Sequence, residues 1–168
     1  MIRYIAGPDA LVESIGRVDI QATREDFIVC DNFIAGNEGI SYVGKNFLEW
    51  FGGKVEQPTE KKTLFFGKLK MSHSDIEILA ELGTDVKIML SQVFALIKMQ
   101  KSVASSVLIN TNRVNLFYIY DPNALNIGGL RVVVIRRISG GLYIEALQLN
   151  FGRVIKWEIG TRLFWRAS

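Results

Sequence analysis

The chain has 168 residues, 49% of them hydrophobic, with 20 Lys and Arg against 17 Asp and Glu for a formal net charge of +3. That length fits one domain, 1–168, with a real core. No run approaches the roughly 18 uninterrupted apolar residues a membrane-crossing helix needs. Pro8 and Asp9 arrive before a signal-peptide core can form, and a lone Cys30 excludes an intrachain disulfide.

Residues 1–71 read as a strand-rich N-terminal part. The strand candidates are IRYIA (2–6), DFIVCDNFIA (26–35), GISYVG (39–44) and TLFFGKL (63–69), all rich in β-branched or aromatic residues. KVEQPTEKK (54–62), the most polar stretch, is expected to be an exposed loop. Cys30 lies in the apolar stretch FIVC and is expected to pack as a small hydrophobe.

Residues 39–46, GISYVGKN, fall one residue short of a phosphate-binding loop, which ends in Ser or Thr. A working loop of that kind wraps phosphates with a flexible backbone and leads into a substantial helix. Here the interior is Ile40, Ser41, Tyr42 and Val43, and Asn46 replaces the Mg²⁺-binding hydroxyl. The following segment NFLEWF stops at Gly52–Gly53. LFYIYD (116–121) has the form of the partner metal motif, but Pro122 follows Asp121, a turn setting in which Asp bonds locally. The stretch therefore reads as a short strand ending in a Gly-Lys-Asn turn.

Residues 72–105 carry the helices. Ser74 and Glu77 have capping-box spacing, and Asp75 suits the positive end of a helix dipole. His73 stands just before that start and is expected as an exposed N-terminal residue. Gly83 followed by Thr84–Asp85 predicts a break and then a long helix. Lys87, Ser91, Lys98, Ser102 and Ser105 form a narrow polar stripe on it. The apolar remainder, Val86 to Met99, predicts a helix covered on more than one side, by the C-terminal strands and by either the N-terminal strands or a second chain.

The last part, 106–168, supplies RVNLFYIY (113–120), LRVVVIRRI (130–138), LYIEALQLN (142–150) and the alternating run VIKWEIGTRLFW (154–165). Period-two alternation predicts a half-buried strand over the last of these. The joints SGG (139–141) and NFG (150–152) suit tight hairpins. The fold class expected is α+β: N-terminal strands, a two-helix segment, then a four-stranded antiparallel meander packed on the long helix. That order resembles cystatin-like and hot-dog architectures. RRISGGLYIEA (136–146) resembles in part the cyclic-dinucleotide-binding PilZ pattern, in which two arginines precede a small-residue turn. Arg137 stands where that pattern has Asp or Asn, so no ligand role follows from it.

His73 is the single histidine, which removes multi-histidine metal sites, and nothing near it has the spacing of a nucleophile. No cofactor, metal site or catalytic set is indicated. The high apolar fraction and the helix apolar around most of its circumference favour a cytoplasmic, non-enzymatic assembly or adaptor subunit that associates with itself or another protein. The alternative is a nucleic-acid-binding module using Arg131, Arg136, Arg137, Arg153, Lys156 and Arg162 of the C-terminal sheet.

Overall fold

The computed structural model describes residues 9–102, 107–109, 111–126, 128–150 and 155–167. Its first half holds β1 (Val12–Ile20), β2 (Phe27–Ile28), α1 (Val29–Asn32), β3 (Ile40–Val43), α2 (Lys45–Phe51), β4 (Val55–Glu56) and β5 (Lys62–Leu69). Next come β6 (His73–Ser74), α3 (Asp75–Leu82), a 3-10 turn (Gly83–Val86), β7 (Lys87–Ile88) and α4 (Leu90–Ser102). The C-terminal strands are β8 (Asn115–Tyr120), β9 (Leu130–Ile138), β10 (Gly141–Gln148), β11 (Lys156–Trp157) and β12 (Arg162–Arg166).

Eight of the strands form one mixed sheet in the order β1-β5-β12-β8-β9-β10-β3, with β7 also paired to β8. This corrects the expected four-stranded meander on a long helix. Only β8, β9 and β10 run as a meander, with β9 and β10 joined by a tight turn in which Ser139 (φ 48°) and Gly140 (φ 83°) both take positive φ. The fourth strand does not lie beside β10. β12 instead inserts between β5, antiparallel, and β8, parallel. β7 pairs with β8 further along, opposite Tyr118 and Ile119. β3 takes the outer edge of β10, in parallel.

The alternating run 154–165 is not one strand. Within it a turn at Glu158–Thr161 separates β11 from β12, with the Thr161 N–H donating to the Glu158 carbonyl at 3.1 Å. Gly160 supplies the positive φ of 85° that this turn needs. A period of two survives a turn of this length, so alternation alone hides the break.

Both faces of the sheet are covered. One face carries Leu64, Phe66, Phe117, Val133, Ile144 and Phe164 against α1, α2 and α4, through Phe33, Phe47, Phe51, Val93, Phe94 and Ile97. The opposite face carries Leu116, Tyr118, Val132, Val134, Leu163 and Trp165 against Ile78 and Leu82 of α3. Asn115–Ile119 of β8 and Leu130–Ile135 of β9 are therefore buried without interruption. That is why these segments read as continuous apolar runs.

Several local expectations change. β1 (VESIGRVDI) was not anticipated: charges at Glu13, Arg17 and Asp19 and a bulge between Ser14 and Gly16 disguise its pattern. DFIVCDNFIA yields a two-residue strand and a short helix, and Cys30 is exposed rather than packed. IRYIA lies outside the described residues. The strand half of GISYVGKN holds, but the turn is a helix start: Gly44 is the N-cap of α2, and its N–H donates to the Ile144 carbonyl at 2.7 Å. The long helix begins at Leu90, because Lys87 and Ile88 are drawn into the sheet. Its apolar circumference is largely buried inside the chain, with Leu90 to Phe94, Leu96 and Ile97 all buried. Among the described residues no helix is long and apolar enough to cross a membrane.

Candidate functional site

Two short ribbons flank the sheet, and each hides a carboxylate at a helix N-terminus. β6 and β11 form one, with Ser74 opposite Lys156 and His73 opposite Trp157. The residue after β6, Asp75, opens α3 and is 5% exposed. Its Oδ1 accepts hydrogen bonds from the Tyr118 hydroxyl and the Trp157 Nε1–H, both at 2.7 Å. A buried carboxylate is tolerated only when such donors meet it, and here they tie α3, β8 and β11 to one atom. Burial, reinforced by the negative charge of Asp75, raises the Tyr118 hydroxyl well above the ordinary tyrosine value.

The expected capping box is present. The Ser74 side chain accepts from the Glu77 N–H, and the Ser74 N–H donates to Glu77 Oε2 at 2.8 Å. That backbone hydrogen bond is the main reason the Glu77 carboxyl lies below its usual value. His73 is half-buried, not exposed, with Nδ1 3.3 Å from Glu77 Oε2.

Exposed apolar residues flank the β6–β11 ribbon in the chain. Ile155 (58% exposed), Ile159 (54%), Met71 (66%) and Ile76 (45%) border it. Ile155 directly precedes β11, and Ile76 lies at the start of α3 just after β6. The turn after Ile159 is tied to the end of β5, where the Gly160 N–H donates to the Leu69 carbonyl.

One end of the ribbon forms the wall of a cleft of about 250 Å³. Arg113, Arg136, Lys156, Trp157, Glu158 and Thr161 line it. Arg113 pairs with Glu158, and Arg136 Nη2 lies 3.4 Å from Glu145 Oε2. Arg136 Nε is buried and makes no hydrogen bond, and Lys156 has no partner among the described residues. Trp157 is held in place by its bond to Asp75.

No protein-family model, curated protein or solved structure matches the chain. What the site can do therefore rests on its residues alone.

Of the six cations singled out in the sequence, the structure brings together Arg136 and Lys156, and adds Arg113. Arg131 points to the α4 side, where its Nε bonds Asp121 Oδ2 at 2.9 Å and its guanidinium stacks 4.0 Å from the Trp50 ring. Arg137 shares that face by alternation and donates to the Gly140 carbonyl. Arg162 is buried, donates to the Val107 carbonyl at 2.7 Å and is lowered by that burial. Arg153 lies outside the described residues. Strand alternation accounts for the split between Arg136 and Arg137.

The second ribbon, β2 with β4, conceals a residue the sequence does not advertise. Glu56, expected in an exposed loop, is 4% exposed. Its two oxygens accept from the Leu90 and Ser91 N–H groups at 2.9 and 2.8 Å, so it caps α4 from another segment. Lys54 lies 3.5 Å from it and also donates to the Tyr120 carbonyl. Asp121 has the local bond expected of a turn, from the Asn123 N–H, as well as its Arg131 partner. Among the described residues no group of three or more His, Cys, Asp or Glu is arranged to hold a metal ion.

Proposed function

We propose that the chain is a cytoplasmic, non-enzymatic assembly or adaptor subunit, and that it associates with itself or a protein partner through the β6–β11 ribbon. One observation carries this: Met71, Ile76, Ile155 and Ile159 all stand exposed around one small, rigidly anchored element. Exposed apolar side chains that cluster, rather than scatter, mark association surfaces. The anchoring matters as well, because a surface fixed beforehand by the Asp75 hydrogen bonds loses little freedom on binding. The polar groups buried beneath the ribbon are consumed in holding the fold, which supports binding rather than chemistry.

The apolar helix is no longer part of the case, since its own chain covers it. A nucleic-acid platform built from all six cations finds less support. It needs them on one surface, whereas Arg131 and Arg162 are engaged on the α4 side and Arg136 points the other way.

Association is tested by light scattering of the full chain over a wide concentration range, alongside crosslinking in its native cell. The expected result is a mass above the 18.9 kDa of one chain, or a crosslinked partner, lost in the Ile155→Asp, Ile159→Asp double variant. A monomer at every concentration with no crosslinked partner contradicts the proposal.

A further inference from the structure

We infer that the cleft between Arg113, Arg136 and Lys156 is a binding site for a phosphate group. This does not depend on association through the neighbouring ribbon. The three cations come from separate places: Arg113 precedes β8, Arg136 lies on β9 and Lys156 on β11. Like charges brought together by the fold raise its electrostatic energy unless carboxylates or a ligand offset them. Carboxylates do so only in part, through Glu158 at Arg113 and Glu145 at Arg136.

Two features point to an oxyanion rather than a solvated rim. The Arg136 side chain is about 40% exposed and lines the cleft, so its guanidinium offers charge to a ligand there. A guanidinium shared with one carboxylate can still give a charge-assisted hydrogen bond to a phosphate oxygen. Lys156 adds a point charge with no partner among the described residues. The Trp157 ring, immobilised by Asp75, supplies an apolar wall for whatever carries the phosphate. At about 250 Å³ the cleft has room for a phosphate group and part of what carries it. Glu158 stands on the lining as a competing acceptor, so it limits affinity.

The phosphate belongs either to a small phosphate monoester or to a strand of nucleic acid, and one experiment separates the two. Calorimetry on the full chain uses orthophosphate in one arm and a single-stranded oligothymidylate in the other, at two salt concentrations. Saturable one-to-one binding of orthophosphate is expected, weakened about tenfold by Arg136→Gln and by Lys156→Gln, as loss of one charge-assisted contact implies. Glu158→Gln is expected to strengthen it severalfold. Lys156 is exposed and makes no contact the fold needs, so K156Q keeps the test valid even if R136Q unfolds. Oligonucleotide affinity that exceeds that of orthophosphate and falls steeply with salt assigns the phosphate to nucleic acid. Equal or weaker oligonucleotide binding assigns it to a small monoester. Failure of both probes to saturate, or affinity unmoved by K156Q, overturns the site.

Discussion

The two ribbons are built on the same plan inside and differ outside. In β2–β4 the buried Glu56 caps α4; in β6–β11 the buried Asp75 opens α3. Both carry exposed apolar residues, Ile28 and Val55 directly opposite each other on the first, and Met71, Ile155 and Ile159 along the second. The cations set them apart. Near β2–β4, Lys54 and Arg131 are committed to Tyr120, Glu56, Asp121 and Trp50. Beside β6–β11, Lys156 and one edge of Arg136 have no protein partner among the described residues. A helix terminus can be anchored by either ribbon, but one of them alone leaves charge and apolar surface facing outward together. That difference is the reason the proposed contact surface is placed on the β6–β11 side.

If the inner plan is shared, removing an anchor on either side costs stability while outer substitutions do not. The largest effect is expected on the α4 side. Asp121→Ala strands the guanidinium of Arg131, and breaking a buried pair from one end costs roughly 3–5 kcal/mol. Denaturant unfolding measures it. Asp75→Ala leaves the Tyr118 hydroxyl and the Trp157 indole N–H without an acceptor, an expected loss of about 3 kcal/mol. Glu56→Ala uncaps α4 and should cost about 2 kcal/mol. A much smaller loss for Asp75 than for Glu56 would break the comparison, because the outer ribbon would then lack its rigid anchor.

The pH dependence sharpens the same contrast on the β6–β11 side. Tyr118 is raised in the folded state, so its contribution is present below about pH 10 and fades as the unfolded tyrosine ionises first. Stability should therefore fall with rising pH in the alkaline range, and Tyr118→Phe should flatten that slope in thermal melts. Glu77 is lowered, so its contribution is present above its ordinary value near 4.5 and is lost on acidification. Glu77→Gln should flatten the acid limb slightly, since this carboxylate is solvent-exposed.

The sequence made parts of this legible. The Ser74–Glu77 capping box, the Ser139–Gly141 hairpin and the strand TLFFGKL are local chemistry, written in adjacent residues. The partners of the last strand were not legible. β12 pairs with β5 across some hundred residues, from Arg162 with Lys68 to Arg166 with Leu64, and with β8 where Arg162 meets Asn115, both far beyond any local signal. Continuous burial of β8 and β9 also looks the same in sequence whether a second layer is a helix or a partner chain. Glu56 carries no signal at all: one carboxylate in a polar stretch reads as solvated until a helix end comes to meet it. The cleft was half legible. Arg136 and Lys156 stood out as cations on strands, but Arg113 joins them only because β8 and β9 pair.

Photo-crosslinking tests the central claim most directly, with a crosslinking residue at position 159 on one ribbon and at position 55 on the other, in the native cell. Adducts with a protein, or with a second copy, should form from position 159 and not from position 55. Adducts from position 55 alone would contradict the assignment of the contact surface to β6–β11.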